Sequence, residues 1–568
     1  MTKLRHRIVL WSLVPFVTTT TPALSDHHAA TGRRGMVATV QPLATDAGLG
    51  VLSAGGNAID AAVTAALTLG VVDGHNSGIG GGCFILIRLA DGQLIAIDGR
   101  EMAPAAATRD MYLRDGRAVA ELSQTGPLAV GVPGALAAYA LALETCGDRS
   151  LAESLQPGIE HAEKGYAVDR VMARNLRGMA EIMARFPATK KALLKPDGSA
   201  YQEGEFLLQP DLGGTYRAIA AAGTDWFYQG PFAKAIAEMM REAGGILTAD
   251  DMGNYRAVRR EPVLSSYRGH QIVGFPPPSS GGIHVAQILN ILEGFDLADL
   301  QQSHPHRTDH IIAEAMKLAF ADRAHWLGDA DFAKVPRGLI DKSYAAGLAA
   351  KIAADRASPV DAHGLPPAAT EDLFGNKHTT HIAAADAMGN WVAITATVNT
   401  SFGSKMVVPG TGVVLNNEMD DFSAQPGVPN VFGLIGAENN AIEPGKRPLS
   451  SMSPTMVLDH GEPILTLGAA GGPKIITQVV LTIIRHLDFG MSLPDAVAAA
   501  RFHHQWRPDL LQIESSVPET WRESMIQRGH ELKPLKFVGV TQAIGWDAEA
   551  GQFTGVHDPR VPGKAAGY

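Results

Sequence analysis

The run from residue 379 to 398 constrains the fold more than any other. Residues 379–386 are extended in character, Met388-Gly389-Asn390 is a turn, and 391–398 alternates again, so the run reads as a β-hairpin. A second hairpin lies far upstream, with strands over 84–89 and 93–98 turned at Asp91-Gly92. Helical patterns fill much of the rest: 42–53 and 57–69 on either side of Gly55-Gly56, then 135–143, most of 151–186, a helix through Leu292, and an amphipathic helix over 310–327. Asn57 is placed to cap the second of these, with Asp60 in its first turn. Each hairpin needs a partner sheet, and helices must cover the outer faces. Two stacked sheets flanked by helices, in one interleaved domain, follow. Residues 353–376, with Pro366, Pro367 and Gly375, read as a weakly structured approach to the first hairpin.

A chain of 568 residues with 46% hydrophobic and 19% charged residues is a globular one with room for a large core. Its net charge of −10 argues against nucleic acid as the main partner, because phosphate binding needs a basic surface. Lys3, Arg5 and Arg7 precede a short apolar run over 8–17 and the small residues around Ala23-Leu24-Ser25. Residues 1–25 therefore read as a signal peptide, and the protein as exported and periplasmic. Cys83 and Cys146 are too few for a disulfide scaffold, and both a pair and two buried thiols fit the sequence.

Two motifs invite readings that fail. The glycine run over 74–82 resembles a nucleotide loop, but Cys83 stands where GxGxxG needs its last glycine. Close backbone packing explains the glycines better. His503 and His504 are adjacent, and neighbours on a strand point to opposite faces, so they read as structural and no metal is expected.

Four runs, in order, carry a resemblance. They are Lys377-His378-Thr379-Thr380-His381, Thr397-Val398-Asn399-Thr400-Ser401-Phe402-Gly403, Leu415-Asn416-Asn417-Glu418-Met419-Asp420-Asp421-Phe422, and Lys446-Arg447-Pro448-Leu449-Ser450-Ser451-Met452-Ser453-Pro454-Thr455. Together they resemble the small subunit of γ-glutamyltranspeptidases, and the likeness reaches back through most of the mature chain. The resemblance implies an α+β fold, the four-layer αββα sandwich of N-terminal-nucleophile hydrolases. It also implies a precursor that cuts itself between His378 and Thr379, giving a large subunit (26–378) and a small catalytic subunit (379–568) that form the fold jointly. The physical rationale is direct. A threonine hydroxyl is a weak nucleophile, but an N-terminal threonine carries its own base, an α-amine that titrates near ~7.7–8.0. Before cleavage that nitrogen is an amide and cannot take a proton.

The resemblance assigns the remaining roles. Thr397 hydrogen-bonds the nucleophile, and Gly471 and Gly472 supply the oxyanion hole. Arg100, Ser450 and Ser451 hold the substrate's α-carboxylate, Glu418 and Asp421 its α-ammonium, and Asn399 contacts the same amino acid end. Residues 425–432 match a lid, with Phe432 where most bacterial members place tyrosine. Each residue also has an ordinary reading: strand threonine, turn asparagine, solvated acids, turn-capping serines and tight-turn glycines. The activity implied is that of a γ-glutamyltransferase and glutathione hydrolase. It would transfer the γ-glutamyl group of glutathione and related γ-glutamyl compounds to water or to amino acid and dipeptide acceptors, with no cofactor. Two alternatives stand beside it: a cephalosporin/glutaryl acylase of the same fold, and a non-maturing periplasmic binding protein.

Overall fold

The computed structural model describes residues 28–369, 372–374 and 382–568. The leader read in 1–25 and the His378–Thr379 junction lie outside the described residues.

Both expected hairpins form. Gly82–Arg88 pairs antiparallel with Leu94–Gly99, and Ala383–Asp386 with Trp391–Thr397. The two hairpins join edge to edge, because Trp391–Thr397 runs antiparallel to Gly82–Arg88 from Trp391 opposite Arg88 to Thr397 opposite Gly82. The result is the centre of a seven-stranded sheet, with Lys564–Gly567 and Gly35–Thr39 beyond one side and Val258–Arg260 beyond the other. A second seven-stranded sheet runs Ala29–Gly32, Gln552–His557, Val540–Asp547, Glu462–Ala470, Thr455–Asp459, His270–Gly274, Val263–Tyr267. Both sheets interleave strands from before and after residue 379, so the prospective pieces share two hydrogen-bonded sheets and the core between them.

Strand periodicity sorts the side chains into layers. Phe84, Leu86, Ala96, Trp391 and Ala393 face inward and meet Val273, Phe275, Met456, Leu458 and Ile544 from the other sheet. Phe84 and Phe275 stack across the gap with centroids 5.0 Å apart and rings 3° from parallel. Such a pair contributes about 0.5–1.5 kcal/mol beyond its buried area. The alternate residues, Cys83, Ile85, Ile87, Val392 and Ile394, face a helical layer that includes Pro42–Ser53 and Ala58–Val72. Gly281–Leu292, Pro305–Trp326 and Lys474–Leu487 cover the second sheet. Helix, sheet, sheet, helix is the expected four-layer order. Asn57 caps the Ala58–Val72 helix with Asp60 closing a capping box.

The glycine run is a packing device, as its failed nucleotide pattern implied. A Cβ at Gly81 would lie 1.9 Å from the Thr397 carbonyl oxygen, and one at Gly80 would lie 2.1 Å from that of Val414. Cys83 is buried, Cys146 half-buried, and the two are not joined.

The 310–327 helix departs from expectation. It starts earlier, at Pro305, and nearly every residue from Thr308 to Arg323 is buried, the charged ones included. Its polar residues are not a solvated face. Glu314 pairs with Lys317, Asp322 accepts from Gln287 and Tyr344, and Arg323 reaches toward the second sheet's neighbouring loop. No helix among the described residues is long and apolar enough to cross a membrane.

Candidate active site

The strand Trp391–Thr397 carries its inward face past the core into open space. Trp391 and Ala393 pack between the sheets, and Thr395 and Thr397, next in the same alternation, line a cavity of about 310 Å³. Asn399, Glu418, Asp421, Phe432, Ser450, Ser451, Gly471 and Gly472 line the same cavity. These eight come from five separated stretches of chain, and the sequence analysis names all of them. His378 and Thr379 lie outside the described residues.

The chain after Thr397 is bent sharply. The Thr397 Oγ1 accepts the Asn399 N–H at 2.7 Å, and Asn399, Phe402 and Lys405 all adopt left-handed backbone (φ 75°, 59° and 67°). Non-glycine residues rarely do so, and such strain collects at functional sites. The bend is pinned from beside it, because Asn399 Nδ2 donates to the Asn417 carbonyl and the Asn417 side chain accepts from Thr400. Asn416 Nδ2 donates to the Gly80 and Gly131 carbonyls at 2.9 Å each. The short 3₁₀ turn Glu418–Asp421 follows directly, so these two asparagines aim both acids at the cavity.

Arg100 is fully buried at the end of the Leu94–Gly99 strand and does not line the cavity itself. Its guanidinium is bound to Glu418 and, at 2.7 Å, to Asp421, while Nε donates to the Pro448 carbonyl at 3.1 Å. The cation assigned to the substrate carboxylate therefore grips the two acids assigned to the ammonium. Glu101 adds a third carboxylate 3.7 Å away. Burial works against the Arg100 charge, but Glu418, Asp421 and Glu101 outweigh it and hold the pKa above its usual value. Burial pushes the Glu418 carboxyl up, with Arg100 the main counterweight, and pushes Glu101 up to about 7. Sequence reasoning missed Glu101, although it sits next to Arg100. It also missed the Arg100 anchor: Tyr255 donates to the Arg100 carbonyl at 2.7 Å, and Arg447 bridges that carbonyl to Asp98.

Gly471 and Gly472 follow the Glu462–Ala470 strand and precede the Lys474–Leu487 helix. Both have positive φ (136° and 60°), and among the described residues neither N–H donates to another group. The Phe432 ring packs against Gly472, where a Cβ would come within 2.7 Å of its Cδ1. The lid segment is thus seated over the glycine pair without a tyrosine hydroxyl. Bonds to its backbone and to the Asn430 side chain hold it instead. Asp420 accepts the Val431 N–H at 3.0 Å, Asn430 donates to Asp421, and Gln505 Nε2 donates to the Phe432 and Gly433 carbonyls at 3.3 and 3.1 Å. His503 Nε2 donates to the Gln505 Oε1 at 3.0 Å and fixes its orientation. His503 is structural, as read, but through the lid. The Gln505→Leu variant removes two lid bonds of about 1 kcal/mol each, so lid opening should rise about tenfold or more. Faster limited proteolysis within 425–434 is the expected readout, and unchanged cleavage would show the lid is held elsewhere.

One cluster among the described residues has metal-like spacing: His310, Glu314 and His530, with ligand atoms within 4.8 Å of one another. Its polar atoms are already spoken for. His310 lies 2.7 Å from His530 and bonds the Ala353 carbonyl, and Glu314 pairs with the Lys317 ammonium at 2.9 Å.

Facing antiparallel sheets, helices outside, and a pocket at the open end between them make this an N-terminal-nucleophile hydrolase fold. The chain superposes on a cephalosporin acylase from Bacillus halodurans with a TM-score of 0.84 and 29% identity, over 98% of this chain and 99% of that one. It matches the family described as Gamma-glutamyltranspeptidase over residues 44–568. A glutathione hydrolase proenzyme from Escherichia coli (strain K12) is 42% identical over 95% of this chain and 93% of that protein. An acylase ACY 1 proenzyme from Pseudomonas sp. (strain V22) is 40% identical over 94% and 93%. The chain belongs to the γ-glutamyltranspeptidase family.

Proposed function

We propose that the protein is an exported, self-processing γ-glutamyltransferase and glutathione hydrolase. The observation that carries this reading is one cavity lined by Thr397, Asn399, Glu418, Asp421, Ser450, Ser451, Gly471 and Gly472 together. Residues 1–25 are a leader, and cleavage between His378 and Thr379 yields the 26–378 and 379–568 pieces. The free Thr379 amine takes the proton from the Thr379 hydroxyl, which attacks the γ-carbonyl of the donor. Gly471 and Gly472 N–H groups stabilise the oxyanion as the tetrahedral adduct forms. The protonated amine then passes its proton to the departing nitrogen, cysteinylglycine leaves, and a γ-glutamyl ester on Thr379 remains. Water or the amine of an amino acid or dipeptide resolves the ester. The amino acid end of the donor is held by acids for its ammonium and by hydroxyls and a cation for its carboxylate, which fixes the γ-carbonyl at Thr379. Arg100 is paired with both Glu418 and Asp421, and the donor's ammonium shares that role.

A glutaryl donor has no ammonium to offer these acids, which weighs against the acylase alternative. The test is chemical. Brief incubation with glutathione, an acid quench and peptide mapping should find a γ-glutamyl ester on the N-terminal residue of the 379–568 piece. An ester elsewhere, or none during turnover, contradicts the mechanism.

A further inference from the structure

A second arginine stands behind the serines. Arg323, on the Pro305–Trp326 helix, is only 4% exposed. Its Nη2 donates to the Ser451 Oγ at 2.9 Å and its Nε donates to the Ser280 Oγ at 2.9 Å. Among the described residues no carboxylate lies within ion-pair distance of it. A buried, unpaired cation is costly, and a folded protein retains one only where something repays the cost. Burial lowers its pKa to about 10, with Asp421 opposing the shift, so it stays charged near neutrality.

The polarity of these bonds matters. A serine hydroxyl has one hydrogen to give. Because Arg323 donates to Ser451, the Ser451 oxygen is used as an acceptor and its own hydrogen is left to donate. Ser450 is set the same way, with its Oγ accepting the Met452 N–H at 3.2 Å. Ser280 completes the frame: it accepts from Arg323 and donates to the Ser450 carbonyl at 2.7 Å. Both Ser450 and Ser451 line the cavity as oriented hydrogen donors, with one positive charge directly behind. Meanwhile all three Arg100 nitrogens are engaged by Glu418, Asp421 and the Pro448 carbonyl.

We propose that Arg323 is a positioning residue for the donor's α-carboxylate: it sets the Ser451 hydroxyl as a donor toward that group and supplies the charge behind it. This rests on the function proposed above and assigns the carboxylate end to a cation of the helix layer in addition to Arg100. The ligand class is an amino acid derivative with a free, ionised α-carboxylate.

Two chromogenic donors separate the possibilities: a γ-glutamyl anilide, and the same anilide with its α-carboxylate converted to a carboxamide. Wild type should favour the carboxylate donor. In Arg323→Met that preference should fall about tenfold or more, the loss appearing in KM for the carboxylate donor, with the carboxamide donor nearly unaffected. Arg323→Lys, which keeps a charge without the fork to two serines, should recover part of the preference. Equal losses for both donors would overturn the proposal and leave Arg323 a packing residue. A wild type indifferent to the two donors would overturn it together with the γ-glutamyl reading. If the methionine variant does not split into its two pieces, Arg323→Gln is read by the same ratio.

Discussion

Thr379→Ala should stay in one piece and release no product. In the proposed mechanism a single hydroxyl does two jobs, cutting the His378–Thr379 bond and attacking the donor, and alanine has none. Even if the bond were cut by another route, losing a catalytic nucleophile typically costs several orders of magnitude, about 10⁶-fold where it has been measured in a serine protease. Thr379→Ser keeps the hydroxyl and the prospective α-amine, so it should still split and turn over. Intact-chain masses of the two variants are the check. A Thr379→Ala protein split between 378 and 379 would show that the bond is cut without this hydroxyl.

Arg100→Met carries the next largest effect. Methionine fills much of the space but leaves Glu101, Glu418 and Asp421 facing one another without their shared cation. Breaking a buried ion pair from one side costs about 3–5 kcal/mol. Donor kcat/KM should fall by about 10²–10³ and the folded state should weaken measurably. The pH dependence has a definite sign. Glu101 already titrates at about 7 when folded against an ordinary 4.5, so the folded site binds more protons than the unfolded chain between those values. Without Arg100, Glu101 and Glu418 rise further. The stability deficit should therefore be small near pH 4.5 and grow as pH rises through 7. A deficit that grows on acidification instead would mean Arg100 is not the counter-ion of these carboxyls.

Much of this site was legible in the sequence, for physical reasons. Hairpins announce themselves through period-two alternation and glycine turns, which is why the strands around Asp91-Gly92 and Met388-Gly389-Asn390 were found from pattern alone. The site residues were named through the family resemblance, whose motifs are contiguous, so Thr397 with Asn399, Glu418 with Asp421, Ser450 with Ser451, and Gly471 with Gly472 came in pairs. What escaped was the support behind them. Arg323 lies in a helix whose Glu314, Lys317 and Asp322 look like a solvated face, because charged residues at helical spacing usually are one. Their burial depends on the second sheet and the 353–364 segment packing over them, and no local pattern carries that. Gln505 lies just beyond His503 and His504, but its tie to the Phe432 and Gly433 carbonyls spans more than seventy residues. Likewise the pairing of Arg100 with Glu418 and Asp421 joins chain over three hundred residues apart. The resemblance implied a cation and two acids, and the fold shows them holding each other.

The most direct test is a paired rate measurement, the release of one chromogenic aniline from its γ-glutamyl and its glutaryl anilide by the same preparation. The two donors differ only in the α-ammonium, the group that Glu418 and Asp421 are proposed to bind. Glu418 and Asp421 share the one Arg100 cation with Glu101, so the α-ammonium adds positive charge that three acids around one cation lack. Hydrogen bonds to a charged group contribute about 1.5–3 kcal/mol, so γ-glutamyl should be preferred about tenfold or more. Equal rates, or a faster glutaryl donor, would contradict γ-glutamyl recognition and move the protein to the acylase side of its family.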